Sequence, residues 1–242
     1  MVFLGAGDAF SAGGRHQAGY LVTAPAATIL LDCGGTTLAS LKREGIKTGS
    51  IDTVLISHLH GDHFSGLPFL FLEYTYVDPR RRPLRIAGPP GTAERVGSLF
   101  RSMYQETAAQ PLPFPLEFIE MHPQRQLGLD AVTVTPFRVP HQANEISLGF
   151  GITVDGRRIL YSGDTGWTED LVSHAQGTDL FICECSFYET RMPSHLDYPR
   201  IAANRCRIDT KRLILTHLGQ EVLARRNQID IELASDGLVV GL

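Results

Sequence analysis

Three histidines and an aspartate crowd into six residues, His58-Leu59-His60-Gly61-Asp62-His63. Neutral imidazole and carboxylate are the donors that zinc and related divalent ions take. Residues i and i+2 of an extended segment point to one face, so His58 and His60 can grip one ion. Asp62 and His63 lie one turn further on and can face a second ion beside it. The stretch follows the apolar residues 54–56 and precedes the apolar residues 64–72, so it reads as a strand-to-helix turn. Imidazoles set against so apolar a strand are costly to desolvate unless they hold something. That disfavours a polar surface loop.

Two ions need more ligands than this turn supplies. His141, Asp164, Glu184 and His217 each stand at the end of a stretch that reads as a strand, and His195 stands in a loop before a helix. His141 can complete the sphere begun by His58 and His60. His217 can complete the one begun by Asp62 and His63. Asp164 has two oxygens and can bridge both ions. A water shared between them leaves an open catalytic position.

The elements that must position these groups follow from periodicity and turn residues. Strands are expected over residues 2–4, 19–23, 28–31, 51–56, 84–87, 116–120, 131–139, 147–154, 157–161, 179–183, 213–216 and 238–241. Helices are expected over 36–44, 64–77, 92–105, 167–175, 199–207 and 219–227. Asp155-Gly156 is a tight hairpin turn between two of the strands. Residues 28–32 resemble 158–164, and residues 54–58 resemble 213–217, a hint of internal duplication. The expected fold is α/β, a four-layer αββα sandwich of two facing mixed sheets with helices outside. No linker divides the chain, so one domain is expected over 1–242. Gly5 and Gly7 begin a dinucleotide-like pattern that does not complete.

Composition narrows the function classes. The chain is 43% hydrophobic and 20% charged over 242 residues, enough for a substantial core. No apolar run reaches the roughly 18 residues that span a bilayer, and the first residues enter a strand at once, without a leader pattern. The four cysteines (33, 183, 185 and 206) lack a disulfide framework, and Cys183 and Cys185 read as small core hydrophobes. Free thiols point to the cytoplasm. A net charge of −4 fits poorly with binding dominated by phosphate contacts. Arg80, Arg81, Arg82 and Arg85 form a small basic cluster, and a solvated loop is the favoured reading of it over contact with substrate.

The spacing His58-x-His60-x-Asp62-His63, then His141, Ser162-Gly163-Asp164-Thr165 and Leu215-Thr216-His217 resembles the metallo-β-lactamase-fold hydrolases. Leu4-Gly5-x-Gly7, Leu31-Asp32-Cys33-Gly34, Gly88-Pro89-x-Gly91, Cys183-Glu184-Cys185-Ser186-Phe187 and Ser194-His195 extend the likeness over nearly the whole chain. Within that superfamily it is similar to the ribonuclease Z branch. The resemblance implies that His195 acts at the scissile phosphate with Glu184 orienting its ring, a pairing that fixes the tautomer and raises the imidazole pKa. It implies that Asp62 belongs to the catalytic group as well as to the ligands, and that Asp32 supports a ligand from behind. It also implies a homodimer, the common state in that branch. Relatives with redox-active iron pairs carry a carboxylate where this chain has His60.

One departure is informative. Ribonuclease Z enzymes grip tRNA with a long arm, and in the branch this chain resembles the arm lies between the strands that here flank residues 152–158. That interval is a bare hairpin. The expectation is therefore a hydrolase with two divalent ions, zinc first and manganese or ferrous iron as alternatives. Its expected partner is a small-molecule or nucleotide phosphodiester, with tRNA disfavoured and no membrane. tRNA 3′ processing, and hydrolysis of a carbon ester, lactone or thioester on the same metals, are the alternatives.

Overall fold

Alternation along single strands dictates the layers. In β3 (Ala27–Leu31) Ile29 and Leu31 face one core while Leu30 faces another. In β10 (Arg157–Tyr161) Ile159 and Tyr161 face the same central core, and Leu160 faces a third. A strand buried on both faces must lie inside a sandwich. The computed structural model, which describes residues 1–242, has this form.

The first sheet runs in sequence order through β1 (Val2–Gly5), β2 (Gly19–Ala24), β3, β4 (Thr53–Leu55), β5 (Leu84–Gly88) and β6 (Leu116–Glu120). Its first three strands are antiparallel and β3 to β6 are parallel. The second sheet contains β7 (Leu127–Leu129), β8 (Val132–Arg138), β9 (Leu148–Val154), β10, β11 (Leu180–Glu184), β12 (Leu213–Thr216) and β13 (Glu232–Leu233). It is antiparallel as far as β10 and parallel beyond. Both sheets thus change from antiparallel to parallel at the strands that carry the matched residues 28–32 and 158–164. The other match is displaced by one strand, since β4 adjoins β3 while β12 lies beyond β11.

The inner faces share a core that includes Phe3, Tyr20, Leu55, Phe150, Ile182 and Ile214. Outside the first sheet pack α1 (Thr37–Arg43), α2 (Gly61–Phe64), α3 (Leu67–Leu72), α4 (Thr92–Met103) and α5 (Gln105–Ala108). Outside the second pack α6 (Glu169–Ala175), α7 (Tyr198–Asn204) and α8 (Gln220–Ala224). The four-layer αββα arrangement is as expected. No helix is long and apolar enough to cross a membrane.

Three local expectations are corrected. The single helix over 64–77 is instead α2, α3 and a π-helical turn at Glu73–Val77. The break falls at Ser65-Gly66, where a Cβ on Gly66 would lie 2.3 Å from the Gly34 carbonyl oxygen. That close approach docks the helix start against the end of β3. The final strand is β13, not residues 238–241. The chain end instead lays Leu238 and Val240 along β1 through Phe3 N–H to Leu238 O (2.9 Å) and Val240 N–H to Met1 O (2.8 Å). The arginine run is not a solvated loop throughout. Arg80 is buried, donates to the carbonyls of Arg82 and Pro83 at 2.9 and 2.5 Å, and stacks 5.0 Å from the Tyr74 ring. Arg82 pairs with Asp52, and Arg85 with Asp130 and Glu117.

Candidate metal centre

β8, β10, β11 and β12 run in one direction, so their C-terminal ends share an edge of the second sheet. His141, Asp164, Glu184 and His217 all stand at that edge. The turn after β4 brings His58, His60, Asp62 and His63 to the same place from the first sheet. The backbone tightens there: Asp32, Gly163 and His217 adopt left-handed φ values of 54°, 58° and 53°. A Cβ on Gly163 would lie 2.6 Å from the Leu148 carbonyl oxygen, so the Asp164 turn requires glycine before it.

Of the four groups that the donor atoms form, two hold the seven expected ligands. His58, His60 and His141 make the first, and Asp62, His63, Asp164 and His217 the second. His60 Nδ1 lies 3.0 Å from His141 Nε2. Asp164 Oδ2 lies 3.3 Å from the Nε2 atoms of both His63 and His217, 3.8 Å from that of His58 and 3.9 Å from that of His141. Asp62 Oδ2 is 3.2 Å from His63 Nε2 and 3.3 Å from His217 Nε2. Four ligands about 2.0–2.1 Å from a zinc ion stand about 3.3–3.4 Å from one another, so the observed spacing suits coordination. Orphaned atoms agree: His58 Nε2, His63 Nε2 and Asp164 Oδ1 are buried without a hydrogen-bond partner. Buried polar groups left this way are rare unless they bind something. The seven expected ligands are therefore brought together, with Asp164 between the groups.

Hydrogen bonds behind the ligands fix the rings. His63 Nδ1 contacts Asp32 Oδ2 at 2.7 Å, and Asp32 also accepts from Ser57 N–H, Ser57 Oγ–H and Tyr161 O–H at 2.7, 2.7 and 2.6 Å. His141 Nδ1 meets the Ser194 carbonyl at 2.9 Å, and His217 Nδ1 meets Ser186 Oγ at 3.0 Å. The sequence alone left Asp32 as no more than a supporting residue implied by resemblance, and did not single out Ser57, Tyr161 or Ser186. A hydroxyl adjoining a ligand, as in Ser57-His58, was the available signal. Outer partners of this kind contribute about 10–100-fold to metal affinity. Asp32→Asn is expected to weaken zinc binding by about that factor, read by chelator competition. Unchanged affinity would mean that packing alone orients the His63 ring.

The electrostatics follow the crowding. Burial works against protonating His63, but Asp164, Asp32 and Asp62 outweigh it and push its pKa well up. Burial likewise opposes protonation of His217, yet Asp164 and Asp62 raise it to about 9. His58 faces mainly burial and is pushed well down. Burial disfavours a charged Asp164, yet His217 and His63 hold its carboxylate well below the usual range.

Glu184 and His195 complete the site. Glu184 Oε1 contacts His195 Nδ1 at 2.9 Å and accepts from Thr165 N–H at 2.6 Å. Its Oε2 accepts from Ser186 Oγ–H at 2.7 Å, and that same oxygen contacts His217. One buried carboxylate thus orients His195 directly and His217 through a serine. The His195 ring lies stacked 5.9 Å from His217 and edge-on 4.8 Å from His141. Burial would lower its pKa, but the hydrogen bond and charge of Glu184 prevail and raise it. Between β9 and β10 the turn is Asp155-Gly156 alone, with φ of 47° and 73°, so no arm projects there.

Comparison with known proteins agrees with this geometry. A ribonuclease Z of Lachnoclostridium phytofermentans is 28% identical over 84% of this chain and 82% of its own. The short form of human tRNase Z superposes with a TM-score of 0.80 at 27% identity, covering 99% of this chain and 98% of that one. The metallo-beta-lactamase fold protein YhfI from Bacillus subtilis superposes at 0.77 with 20% identity, covering 99% and 98%. The family model described as Anti-Pycsar protein Apyc1 matches residues 1–235. By that match, on a metallo-β-lactamase fold shared with the ribonuclease Z proteins, the chain belongs to the Apyc1 family.

Proposed function

We propose that this protein is a dinuclear metal-dependent phosphodiesterase acting on a small or nucleotide phosphodiester. One observation carries the reading: the Glu184–His195 pair at 2.9 Å stands beside a cluster suited to two ions. The proposed ligands are His58, His60 and His141 for one ion, Asp62, His63 and His217 for the other, and Asp164 between them, with zinc the resident metal. The function is carried by the chain as one domain over 1–242. Its four cysteines are free thiols, which supports a reducing compartment, the cytoplasm.

When bound, the ions supply Lewis-acid activation of water and stabilise charge on the phosphoryl oxygens. Asp62, at the cavity edge, accepts a hydrogen bond from the attacking water and aligns it. His195, held through Nδ1 by Glu184, keeps a proton on Nε2 and delivers it to the departing ester oxygen. Glu184 stabilises the imidazolium before transfer.

The test uses zinc-loaded protein with bis(p-nitrophenyl) phosphate and a panel of cyclic nucleotides. Turnover is expected, is lost on chelation and returns with added zinc. Inactivity on every diester would sink the proposal. A second reading, tRNA 3′ processing, is favoured by the relatives named ribonuclease Z. The bare β9–β10 hairpin and the net charge of −4 count against it. Cleavage of pre-tRNA with an efficiency above that on small diesters would reverse the order.

A further inference from the structure

The centre opens into a cavity of about 590 Å³ lined by His60, Asp62, His195 and His217. Glu221 also borders it, though no step of the reaction involves that carboxylate. Both of its oxygens are engaged elsewhere. Oε2 accepts from the N–H groups of Tyr188, Glu189 and Thr190 at 3.0, 2.7 and 3.0 Å. Oε1 accepts from Thr190 Oγ–H at 2.5 Å. Glu221 accordingly stands outside every donor group of the centre.

The three amides belong to the excursion between β11 and α7 that carries His195. Its base is closed by Phe187 N–H to the Leu196 carbonyl at 3.2 Å and by Tyr198 N–H to the Phe187 carbonyl at 2.9 Å. Beyond the base, residues 189–193 are exposed, so little apolar packing holds them. Glu221 meets the first part of this exposed stretch. Met192 then bridges antiparallel to His195, and Arg191 pairs with the buried Asp197. Backbone pairing thus leads from the Glu221 carboxylate to the proton donor.

The anchor itself is firm. Glu221 lies four residues past His217, and its neighbours Val222 and Leu223 are buried in the third core. Arg225, just past α8, pairs with Glu189 and lies 5.2 Å from the Tyr188 ring, but an ion pair with so exposed a partner contributes little. The Thr190 hydroxyl, and then the amides, hold the Glu221 carboxyl down at a pKa of about 2. The carboxylate is therefore charged throughout the neutral range, and the contact weakens only as pH falls toward that value.

We propose that Glu221 is a positioning residue: by capping the amides of Tyr188, Glu189 and Thr190 it holds the excursion that places His195 over the metal centre. This rests on the phosphodiesterase reading, in which His195 delivers the proton.

The experiment compares wild type, Glu221→Ala, His195→Ala and the double variant as zinc-loaded full chains. The cyclic nucleotide that wild type turns over best, with an alkoxide leaving group, is set against bis(p-nitrophenyl) phosphate, whose leaving group departs without a proton. Glu221→Ala is expected to lower kcat on the first about 10–10²-fold and to change the second by less than about threefold, with metal content as in wild type. The double variant should lose no more than His195→Ala alone. Equal losses on both substrates, losses that multiply in the double variant, or full activity of Glu221→Ala would overturn the proposal. Should Glu221→Ala fail to fold, the same split, in smaller measure, is required of Glu221→Gln, which keeps the volume and one acceptor oxygen. Hydrogen exchange of peptides spanning residues 188–195 gives a readout independent of turnover. It is expected to be about tenfold faster or more in Glu221→Ala, with the core strands unchanged. If wild type turns over no cyclic nucleotide, exchange alone decides the role of Glu221, and equal rates overturn it. The phosphodiesterase reading fails only if bis(p-nitrophenyl) phosphate is not cleaved either.

Discussion

Asp164→Asn is expected to cost at least one equivalent of bound metal per chain and about 10³-fold or more in kcat. Asp164 Oδ2 is the one oxygen within 3.3–3.9 Å of the Nε2 atoms of His58, His63, His141 and His217. The amide keeps the volume of the carboxylate, so the turn after β10 and the packing below it are retained. What it removes is a negative charge shared by both halves of the centre, and an acceptor at an atom that has no protein partner. Two measurements check this. Metal analysis after dialysis should show a deficit against wild type. Thermal unfolding should show a smaller rise with added zinc, because binding to the native state alone stabilises with the logarithm of the affinity. Full metal content with full activity would remove Asp164 from the centre and dissolve the two-ion arrangement with it.

His195→Ala is expected to leave metal content intact and to lower kcat by about 10²–10⁴-fold on a diester with an alkoxide leaving group. On bis(p-nitrophenyl) phosphate the loss should be much smaller, because that leaving group departs without a proton. The pH dependence carries its own sign. The acid form of His195 delivers the proton, so activity is present below its pKa and declines as pH rises through it. Glu184 raises that pKa above the ordinary imidazole value, so the alkaline limb should lie above the usual range. Glu184→Gln removes the charge that raises it and should move the limb to lower pH. His195→Ala should abolish it. A thioester hydrolase on the same metals would be indifferent to His195, since a thiolate leaves without a proton. A flat response to His195→Ala on a diester with an alkoxide leaving group would remove His195 from the proton transfer.

The sequence by itself determined the groups that lie close along the chain. His58, His60, Asp62 and His63 fall within one turn, where spacing alone sets direction, and the continuous apolar runs 29–31 and 159–161 suit strands buried on both faces. The residue types at strand ends were enough to nominate His141, Asp164 and His217 as their partners. Tertiary structure decided the rest, because it concerns what different segments do to one another. The helix after the cluster breaks at Gly66 since the end of β3 passes too close for a side chain there. Arg80, which reads as a surface cation, is buried because local carbonyls and the Tyr74 ring meet its guanidinium. Asp32 became a support when the sheets closed and placed Ser57, Tyr161 and His63 around one carboxylate. Local spacing can choose the donors. Their distances, their orphaned atoms and the walls around them depend on contacts between residues up to 155 positions apart, as between Asp62 and His217, and no periodicity encodes those.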